Sequence, residues 1–455
     1  MDLSRPLQHA LKVIDRWLEY NAYADEHIVG VSVGIVYKDS VIFSKGYGYA
    51  NVEQKIRASE NTCYRIASIS KIFTTVAVLQ LWEQGKLRLD DRVQQHLPWF
   101  TSSDERDLGQ ITIRQLLTHT AGLDRDGDTT QWVGDFPFPE LDAIQQHIAA
   151  GATVYEPLEH WKYSNYGFTV LGAMIEQVSG VPYETYTRQH IIERLGLTHT
   201  APELNEDIAH SLALGYSRSL PGQEKQPFPH ITTNAMASAT GFASNVLDLC
   251  HFIQAQFVGQ NELLREETKR EMRRIQWLRE GEGSDWCLGL ETWKVNNRRI
   301  YGHSGGFPGY KSRFGFDPES EIGVVVFTNS IDARPSELAN SIWESIDYFI
   351  ASDEQFAPTE QPVEHIEDYA QTYRNIWGDL DVVAINNQQL LLFYPGPTLA
   401  GSEWHQLRYE KADHFRIVRG NSFGHIGEIA RFEWQDGKVE RIVVGSDPFT
   451  RLEKE

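Results

Sequence analysis

The sequence is poor in cysteine, with Cys63, Cys250 and Cys287 its only three among 455 residues. They are far apart, odd in number and without C-x-x-C spacing, so we expect neither a disulfide framework nor a cysteine zinc site. Sixteen histidines are present, but no H-E-x-x-H string and no tight His/Asp cluster occurs. The sequence therefore predicts no metal and no cofactor.

Long apolar runs are also absent. No stretch approaches the 18 or so uninterrupted apolar residues that a membrane-spanning helix needs. A helix is predicted to begin at Ser4, and its apolar positions are interrupted by the charged residues Asp15, Arg16 and Glu19. This pattern is unlike the continuous apolar stretch of a signal peptide. We therefore expect a cytoplasmic protein without a membrane partner, unless a leader precedes this sequence.

Positive charge is scarce. Lysine and arginine number 42 against 63 aspartates and glutamates, which gives a net charge of −21. This balance argues against nucleic acid or an anionic membrane as a partner.

The order of the predicted elements indicates the fold class. Strand-like runs at 29–37 and 41–47 read as a hairpin, and further strands are predicted at 310–316 and 322–329. The section between them is rich in helices and loops. One sheet built from both ends of this region predicts an α/β sandwich, an antiparallel sheet flanked by helices, with an inserted helical region.

The composition changes near Ala351. The residues that follow are acidic and contain Pro358 and Pro362, which is typical of a linker. Beyond them the pattern is one of short strands, and the dipeptide Asp436-Gly437 is a strong hairpin signal. We predict an α/β domain over 1–352, a linker over 353–363 and a small antiparallel β-barrel over 364–455.

The most informative motif is Ser68-Ile69-Ser70-Lys71, at the predicted start of a helix. Positions three apart share a helix face, so Ser68 and Lys71 would meet. A serine beside a lysine of lowered pKa is one form of activated nucleophile. The alternative is a helix-capping serine with a solvated lysine.

A second short motif, Tyr163-Ser164-Asn165, stands before a helix predicted over 166–179. Tyr163 could equally be a buried tyrosine with a satisfied hydroxyl. Asn165 could be the cap of that helix, a role compatible with catalysis.

A third motif lies on a predicted strand and includes His303, Ser304, Gly305 and Gly306. Together with Gly302 it also reads as G-x-S-x-G, the nucleophile elbow in which Ser304 would be the nucleophile. That elbow needs a helix after it. Strands are predicted there instead, so this interpretation is disfavoured, and a packing role for His303 stays open.

Five motifs occur in one order, and together they carry a resemblance. They are Leu116–Leu123, Tyr163–Gly167, Leu195–Leu197, Gly241–Ser244 and Gly302–Gly309. Over about residues 5 to 350 the chain resembles the serine β-lactamase and penicillin-binding-protein-like hydrolases, on the branch of class C β-lactamases, D-amino-acid-specific peptidases and related esterases. The tail resembles, more weakly, the lipocalin-like barrel of some of those peptidases.

The resemblance implies a role for each motif residue. Ser68 would be acylated, Lys71 and Tyr163 would share general-base duty, and Tyr163 would return a proton to the leaving group. Asn165 would hold Lys71 and a substrate amide.

The strand motif would bind substrate in the same scheme. The backbone N–H groups of Ser68 and Gly306 would form the oxyanion hole, and Ser304 and Gly305 would line the substrate. His303 stands where many relatives have lysine, so a fixed positive charge for a substrate carboxylate is not expected. An unperturbed histidine there would give a pH transition near about 6 to 7.

The resemblance implies a serine hydrolase working through an acyl-enzyme on Ser68. We expect an amidase or peptidase acting on small peptides, including peptides with D-amino acids. Carboxylesterase and β-lactamase or penicillin-binding activity at the same site are alternatives, and an inactive binding or regulatory protein is another. The segment 124–139, with Trp132, Phe136 and Phe138, is predicted either to edge the pocket or to anchor its own aromatics. A homo-oligomer formed through the barrel is also expected.

Overall fold

The computed structural model describes residues 2–102, 107–128, 131–133, 137–357, 362–396, 398–399, 402–421 and 425–453. Residues 358–361 of the predicted linker and Phe136 lie outside the described residues. The chain forms two compact units, one of Glu26–Ala339 and one that joins Met1–Asp25 to Asn340–Glu455. The domain boundaries derived from the sequence stay a prediction.

Helices and strands alternate in blocks along the chain. The α-helices are α1 (Ser4–Ala24), α2 (Ser70–Glu83), α3 (Val93–His96), α4 (Ile113–Leu117), α5 (Leu141–Gly151), α6 (Asn165–Ser179), α7 (Tyr183–Thr187), α8 (Glu193–Leu195), α9 (Glu206–Ala209), α10 (Val246–Gln254), α11 (Glu266–Arg273) and α12 (Pro335–Ala351). The strands before the tail are β1 (Gly30–Tyr37), β2 (Ser40–Asn51), β3 (Ile56–Arg57), β4 (Tyr64–Arg65), β5 (Ala243–Ser244), β6 (Ser284–Trp286), β7 (Glu291–Val295), β8 (Arg298–Phe307), β9 (Tyr310–Asp317) and β10 (Ile322–Thr328). The tail holds β11 (Thr372–Asn375), β12 (Gly378–Ala384), β13 (Gln389–Tyr394), β14 (Glu403–Lys411), β15 (His414–Gly420), β16 (Ile429–Gln435), β17 (Lys438–Val444) and β18 (Asp447–Arg451).

The larger unit is organised around one eight-stranded antiparallel sheet. Its strand order is β3-β2-β1-β10-β9-β8-β7-β6, so early and late strands meet at its centre, where Val33 pairs with Val326. Every residue of β1 and β10 is buried, as expected for central strands covered by helices on both faces. The α/β sandwich predicted from the sequence, with one sheet made from two ends of the region, is confirmed.

Helix α2 lies in the interior of this unit. All residues from Ser70 to Leu81 are buried, in keeping with a helix that is apolar on most of its circumference. It ends before Gly85, whose φ of +69° suits glycine. A short 3₁₀ turn, Ala67–Ile69, precedes α2, so Ser68 lies in the turn that leads into the helix rather than in its first α-helical turn.

The tail strands close into an eight-stranded barrel, which confirms the predicted β-barrel. Strand β18 pairs back onto β11, with Tyr373 opposite Arg451. Asp436 and Gly437 both have positive φ, at 49° and 75°, as a two-residue hairpin turn with the right twist requires. The barrel interior is filled by apolar side chains, among them Leu390, Leu392 and Phe432.

Helix α1 is tied to the barrel within the smaller unit. Trp17 Nε1 donates to the carbonyl of Gly396 at 3.0 Å, and Lys12 Nζ donates to the carbonyl of Ala384 at 2.6 Å. Arg5 forms an ion pair with Asp353. Among the described residues, no helix combines the length and the apolar character that crossing a bilayer requires.

Candidate active site

Ser68 is presented by a strained, tightly held turn. Ala67, just before it, has a φ of +53°, an uncommon value for a residue with a side chain. The hydroxyl of Ser70 donates to the Ala67 carbonyl at 2.5 Å and accepts from the Phe242 N–H at 3.0 Å, which fixes the turn. From Thr62 to Leu81, Ser68 is the one residue that is not buried. The fold therefore exposes this hydroxyl from an otherwise buried segment.

Lys71 reaches Ser68 from the first turn of α2. Its Nζ lies 3.2 Å from Ser68 Oγ and donates to Asn165 Oδ1 and to the Ala239 carbonyl, each at 2.7 Å. The side chain is fully buried, and this burial lowers the pKa of Lys71 well below its ordinary value, although the Asp126 carboxylate opposes the shift. A neutral Lys71 would give its two N–H groups to these carbonyl oxygens and turn its lone pair toward the Ser68 hydroxyl.

Tyr163 contacts the same hydroxyl. Its Oη donates to Ser68 Oγ at 2.8 Å, and Lys71 Nζ lies 4.9 Å from its ring centre. Burial raises the pKa of Tyr163, and the hydrogen bond to Ser68 offsets only part of that rise. In the structure Tyr163 is therefore a neutral proton donor, while Lys71 is the better base.

Asn165 begins α6, but it is not the helix cap. Ser164 has that role, because its hydroxyl accepts from the Gly167 N–H at 2.9 Å. The interpretation of Asn165 as a cap is thus wrong. Its amide instead accepts from Lys71 and donates through Nδ2 to Asp126 Oδ1 at 2.7 Å. Asp126 therefore fixes which way the Asn165 amide faces.

His303 lies on β8, as predicted, with a buried ring. Its Nδ1 lies 2.5 Å from the Ser304 carbonyl, so Nδ1 carries the proton in the neutral ring. Its Nε2 is buried without a hydrogen-bond partner among the described residues. The ring centre lies 6.4 Å from that of Tyr163, and no hydrogen bond joins this ring to the Tyr163 hydroxyl in the described part of the chain.

The fold shifts the pKa of His303 away from that of an unperturbed histidine. Burial, together with the nearby Lys71, lowers the pKa of His303 to about 4, and the Glu291 carboxylate opposes this shift. The ring is therefore neutral near pH 7. A transition near pH 6 to 7, expected for an unperturbed histidine, is wrong for this geometry.

The glycines of β8 let the strand approach the Ser68 turn closely. A Cβ on Gly305 would lie 2.3 Å from the Ile66 carbonyl oxygen and 2.1 Å from Ser312 Oγ, so only glycine fits. Gly306, the next residue, is exposed and pairs across the sheet with Lys311. This approach brings Ser68 and Gly306, whose N–H groups are predicted to form the oxyanion hole, to the same cavity.

That cavity has a volume of about 570 Å³, large enough for a small peptide or acyl ester. All the predicted site residues except Lys71 line it. Its further lining residues are mostly aromatic or charged, and they are Arg125, Trp132, Trp161, Arg279, Trp286, Glu291, Lys311, Ser312, Ala333, Arg334, Pro335, Ser336 and Glu337. Lys71 lies beneath the cavity, in contact with Ser68.

The predicted aromatic edge over 124–139 divides into two parts. Trp132 lines the cavity, whereas Phe138 is buried and stacks on Phe307 with ring centres 5.8 Å apart. The segment thus contributes to the pocket and also anchors its own aromatics.

The alternative nucleophile, Ser304, has the wrong surroundings for an elbow. It lies within β8, opposite Arg313, and the next element is the strand β9 rather than a helix. The structure thus gives Ser304 a place in the cavity wall without the strand-to-helix turn that an elbow needs.

Two residues that support the site were not singled out from the sequence. Besides Asp126, the buried His119 accepts the Ser164 N–H at Nδ1 (3.1 Å), and its ring centre lies 4.3 Å from that of Tyr163. Burial lowers the pKa of His119 well below its ordinary value, so this ring is neutral. Its place in the motif Leu116–Leu123 was the available signal, whereas Asp126 had none beyond the predicted pocket edge.

Known proteins are similar to this chain over most of its length. The family model described as Beta-lactamase matches residues 14–343. Protein flp of Staphylococcus aureus (strain MRSA252) is 30% identical over 306 residues, which cover 67% of this chain. The chain spans 60% of the length of that curated relative.

Two solved structures share the fold. The octameric penicillin-binding protein homologue from Pyrococcus abyssi has a TM-score of 0.66 and 24% identity, and the match covers 97% of this chain and all of that one. The D-amino acid amidase from Ochrobactrum anthropi SV3, complexed with D-phenylalanine, has a TM-score of 0.65 and 22% identity. That match covers 76% of this chain and 99% of the amidase.

Proposed function

The chain belongs to the beta-lactamase family, and from this we propose that it is a serine hydrolase that forms an acyl-enzyme on Ser68. One observation carries the proposal. Two groups that can move protons, Lys71 Nζ at 3.2 Å and Tyr163 Oη at 2.8 Å, converge on a single half-buried serine hydroxyl that lines the cavity.

Acylation would proceed as follows. Ser68 Oγ attacks the substrate carbonyl carbon while its proton passes to neutral Lys71. The carbonyl electron pair moves to oxygen, where the N–H groups of Ser68 and Gly306 stabilise the charge. The bond to the leaving group then breaks, and the leaving nitrogen or oxygen takes the proton of Tyr163. The acyl-enzyme is left with a protonated Lys71 beside a tyrosinate.

Deacylation would reverse these roles. Water attacks the acyl carbon and gives a proton to the Tyr163 tyrosinate. Ser68 Oγ leaves and recovers its proton from Lys71. Protons balance over the cycle, and each donor or acceptor lies within hydrogen-bond reach of Ser68 Oγ.

We propose small peptides and amino acid amides, including those with D-residues, as the substrates. The three tryptophans of the cavity wall, Trp132, Trp161 and Trp286, and a volume of about 570 Å³ suit a small acyl group with an apolar side chain. The fold shared with a D-amino acid amidase supports this choice. A neutral His303 disfavours substrates that need a positive charge at that position, as β-lactam and carboxypeptidase substrates do in the related enzymes with lysine there.

The test combines labelling with a substrate panel. A fluorophosphonate should add to Ser68 in the wild type, as located by mass spectrometry of the digested protein, and not in Ser68→Ala. Ser304→Ala is the matched control and should still be labelled. An adduct on Ser304 would establish the elbow mechanism, and no adduct at all would favour a binding or regulatory protein.

The panel then separates the activities. We expect D- or L-aminoacyl anilides to be cleaved faster than nitrocefin, with short acyl esters as the comparison class. Faster turnover of the esters would make the protein a carboxylesterase, and faster turnover of nitrocefin would make it a β-lactamase. Ser68→Ala should be inactive on all three.

The proposal also covers the oligomeric state of the protein and its location in the cell. A homo-oligomer formed through the barrel is supported by the fold shared, over 97% of this chain, with a penicillin-binding protein homologue described as octameric. Light scattering of the purified chain tests it. A cytoplasmic location stays a prediction.

A further inference from the structure

A second cavity lies in the compact unit that contains the barrel, and it shares no lining residue with the cavity at Ser68. It is formed on the outside of the barrel wall. Leu391 and Phe393 of β13 face it, whereas their neighbours Leu390 and Leu392 belong to the barrel core. Its volume is about 220 Å³.

The walls of this cavity are mainly apolar and aromatic. Val13 of α1 contributes on one side, and Tyr348 and Phe349 of α12 on another. Trp404 of β14 completes an aromatic corner, with its ring centre 5.7 Å from that of Tyr348. Such walls favour a ligand with an aromatic ring.

Two polar groups on α12 line this apolar space, and neither has a hydrogen-bond partner among the described residues. Glu344 is partly buried, lines the cavity and has no hydrogen bond or ion pair within the described part of the chain. Burial raises the pKa of the Glu344 carboxyl. Ser345, the next residue, is buried, and its Oγ has no hydrogen-bond partner among the described residues.

Packing alone does not account for this pair. A buried hydroxyl without a partner costs free energy in the folded protein, and the apolar walls beside the Glu344 carboxylate remove part of its hydration. A bound cation with N–H donors would satisfy both groups at once, since a carboxylate accepts and a hydroxyl can accept.

We infer that this cavity binds a small primary amine that carries one aromatic ring. An apolar cavity of about 150 Å³ is known to hold benzene, so about 220 Å³ leaves room for a ring with a short aminoalkyl arm. The ring would lie among Phe393, Tyr348 and Trp404, and the ammonium would meet Glu344. The inference does not depend on the proposed hydrolase activity.

Calorimetric titration of the full-length protein with 2-phenylethylamine tests the inference. The wild type should bind it, and Glu344→Gln should weaken binding by about ten-fold or more, because the amide keeps the shape and removes the charge. Glu354→Gln is the matched control, since Glu354 is an exposed glutamate outside the cavity, and it should bind as the wild type does. The uncharged 2-phenylethanol should bind more weakly than the amine, and equally to the wild type and Glu344→Gln.

A filling variant gives a second measurement. Leu391→Trp should abolish amine binding while circular dichroism shows a folded chain, and Val13→Phe replaces it if that variant does not fold. Two outcomes would overturn the inference. One is equal affinity of the wild type and Glu344→Gln for the amine, and the other is no binding by the wild type up to the solubility limit of the probe.

Discussion

At the scale of single residues, Lys71 and Tyr163 both contact one atom, Ser68 Oγ. We expect Lys71→Ala and Tyr163→Phe each to lower kcat by several orders of magnitude. The double variant should lose far less than the product of the two, because residues that act as one proton-transfer unit are strongly non-additive. Steady-state kinetics of the four proteins on one anilide substrate gives the comparison. Losses that multiply in full would mean that the two residues do not share the proton-transfer step.

The lowered pKa of His303 should make the folded protein less stable as the pH falls. Its pKa is lowered from 6.5 to about 4 in the folded state. Between these pH values His303 is protonated in the unfolded chain and neutral in the folded protein. This residue therefore lowers the free energy of unfolding as the pH drops from about 6.5 to 4. Its contribution over that window is up to about 3 kcal/mol.

Urea unfolding of the wild type and His303→Gln at the two ends of that window measures this contribution. The wild type should lose more stability than the variant on going from neutral to acid pH. The acid limb of kcat/KM should likewise lie well below pH 6, near the lowered pKa. Equal acid losses in both proteins would show that His303 is not held neutral by the fold.

At the scale of single elements, strand β8 depends on a glycine that touches the Ser68 turn. A Cβ on Gly305 would meet the Ile66 carbonyl at 2.3 Å, whereas one on Gly306 would meet only the flexible Lys311 side chain, at 3.4 Å and beyond. We expect Gly305→Ala to destabilise the protein by about 1 to 3 kcal/mol through overpacking and to abolish labelling of Ser68.

Gly306→Ala is the matched control for this strand. It should keep the stability and the labelling, since its new methyl group has room. Thermal unfolding of both variants measures their stability, and fluorophosphonate labelling measures whether Ser68 still reacts. If the two variants behave alike, close packing of β8 on the Ser68 turn is not what positions the proposed oxyanion donors.

The elements show which parts of the site a sequence can predict. The Ser68–Lys71 spacing and the helix over 166–179 are local patterns, so the sequence predicted both to within a few residues. The sequence offered Asn165 as a possible cap of α6, and this was wrong, because the Ser164 hydroxyl accepts the Gly167 N–H while the Asn165 amide is bound to Lys71.

The pKa values and hydrogen-bond partners that depend on burial could not be predicted from the sequence. The lowered pKa of Lys71 and His303 comes from desolvation by segments far away in the chain. Asp126 likewise becomes a partner of Asn165 only once α6 and the segment between α4 and α5 are packed together.

At the scale of the whole molecule, the strand pattern predicted both the sheet built from two ends and the barrel. The strand pattern could not predict which surface α1 packs on, because an amphipathic helix carries no signal for the surface it covers. In the structure α1 shares a compact unit with the barrel, to which it is tied through Trp17 and Lys12.

A chain ending at Ser352 tests the organisation into units. It retains every residue that lines the cavity at Ser68, so labelling of Ser68 should persist. It removes Ala384 and Gly396, the carbonyl partners of Lys12 and Trp17, so α1 should become mobile. Limited trypsin digestion should then cut after Lys12 or Arg16 in the short chain and spare both sites in the full-length protein. Loss of labelling in a folded short chain would mean that the barrel contributes to the chemistry at Ser68, and protection of α1 there would mean that the barrel is not what holds this helix.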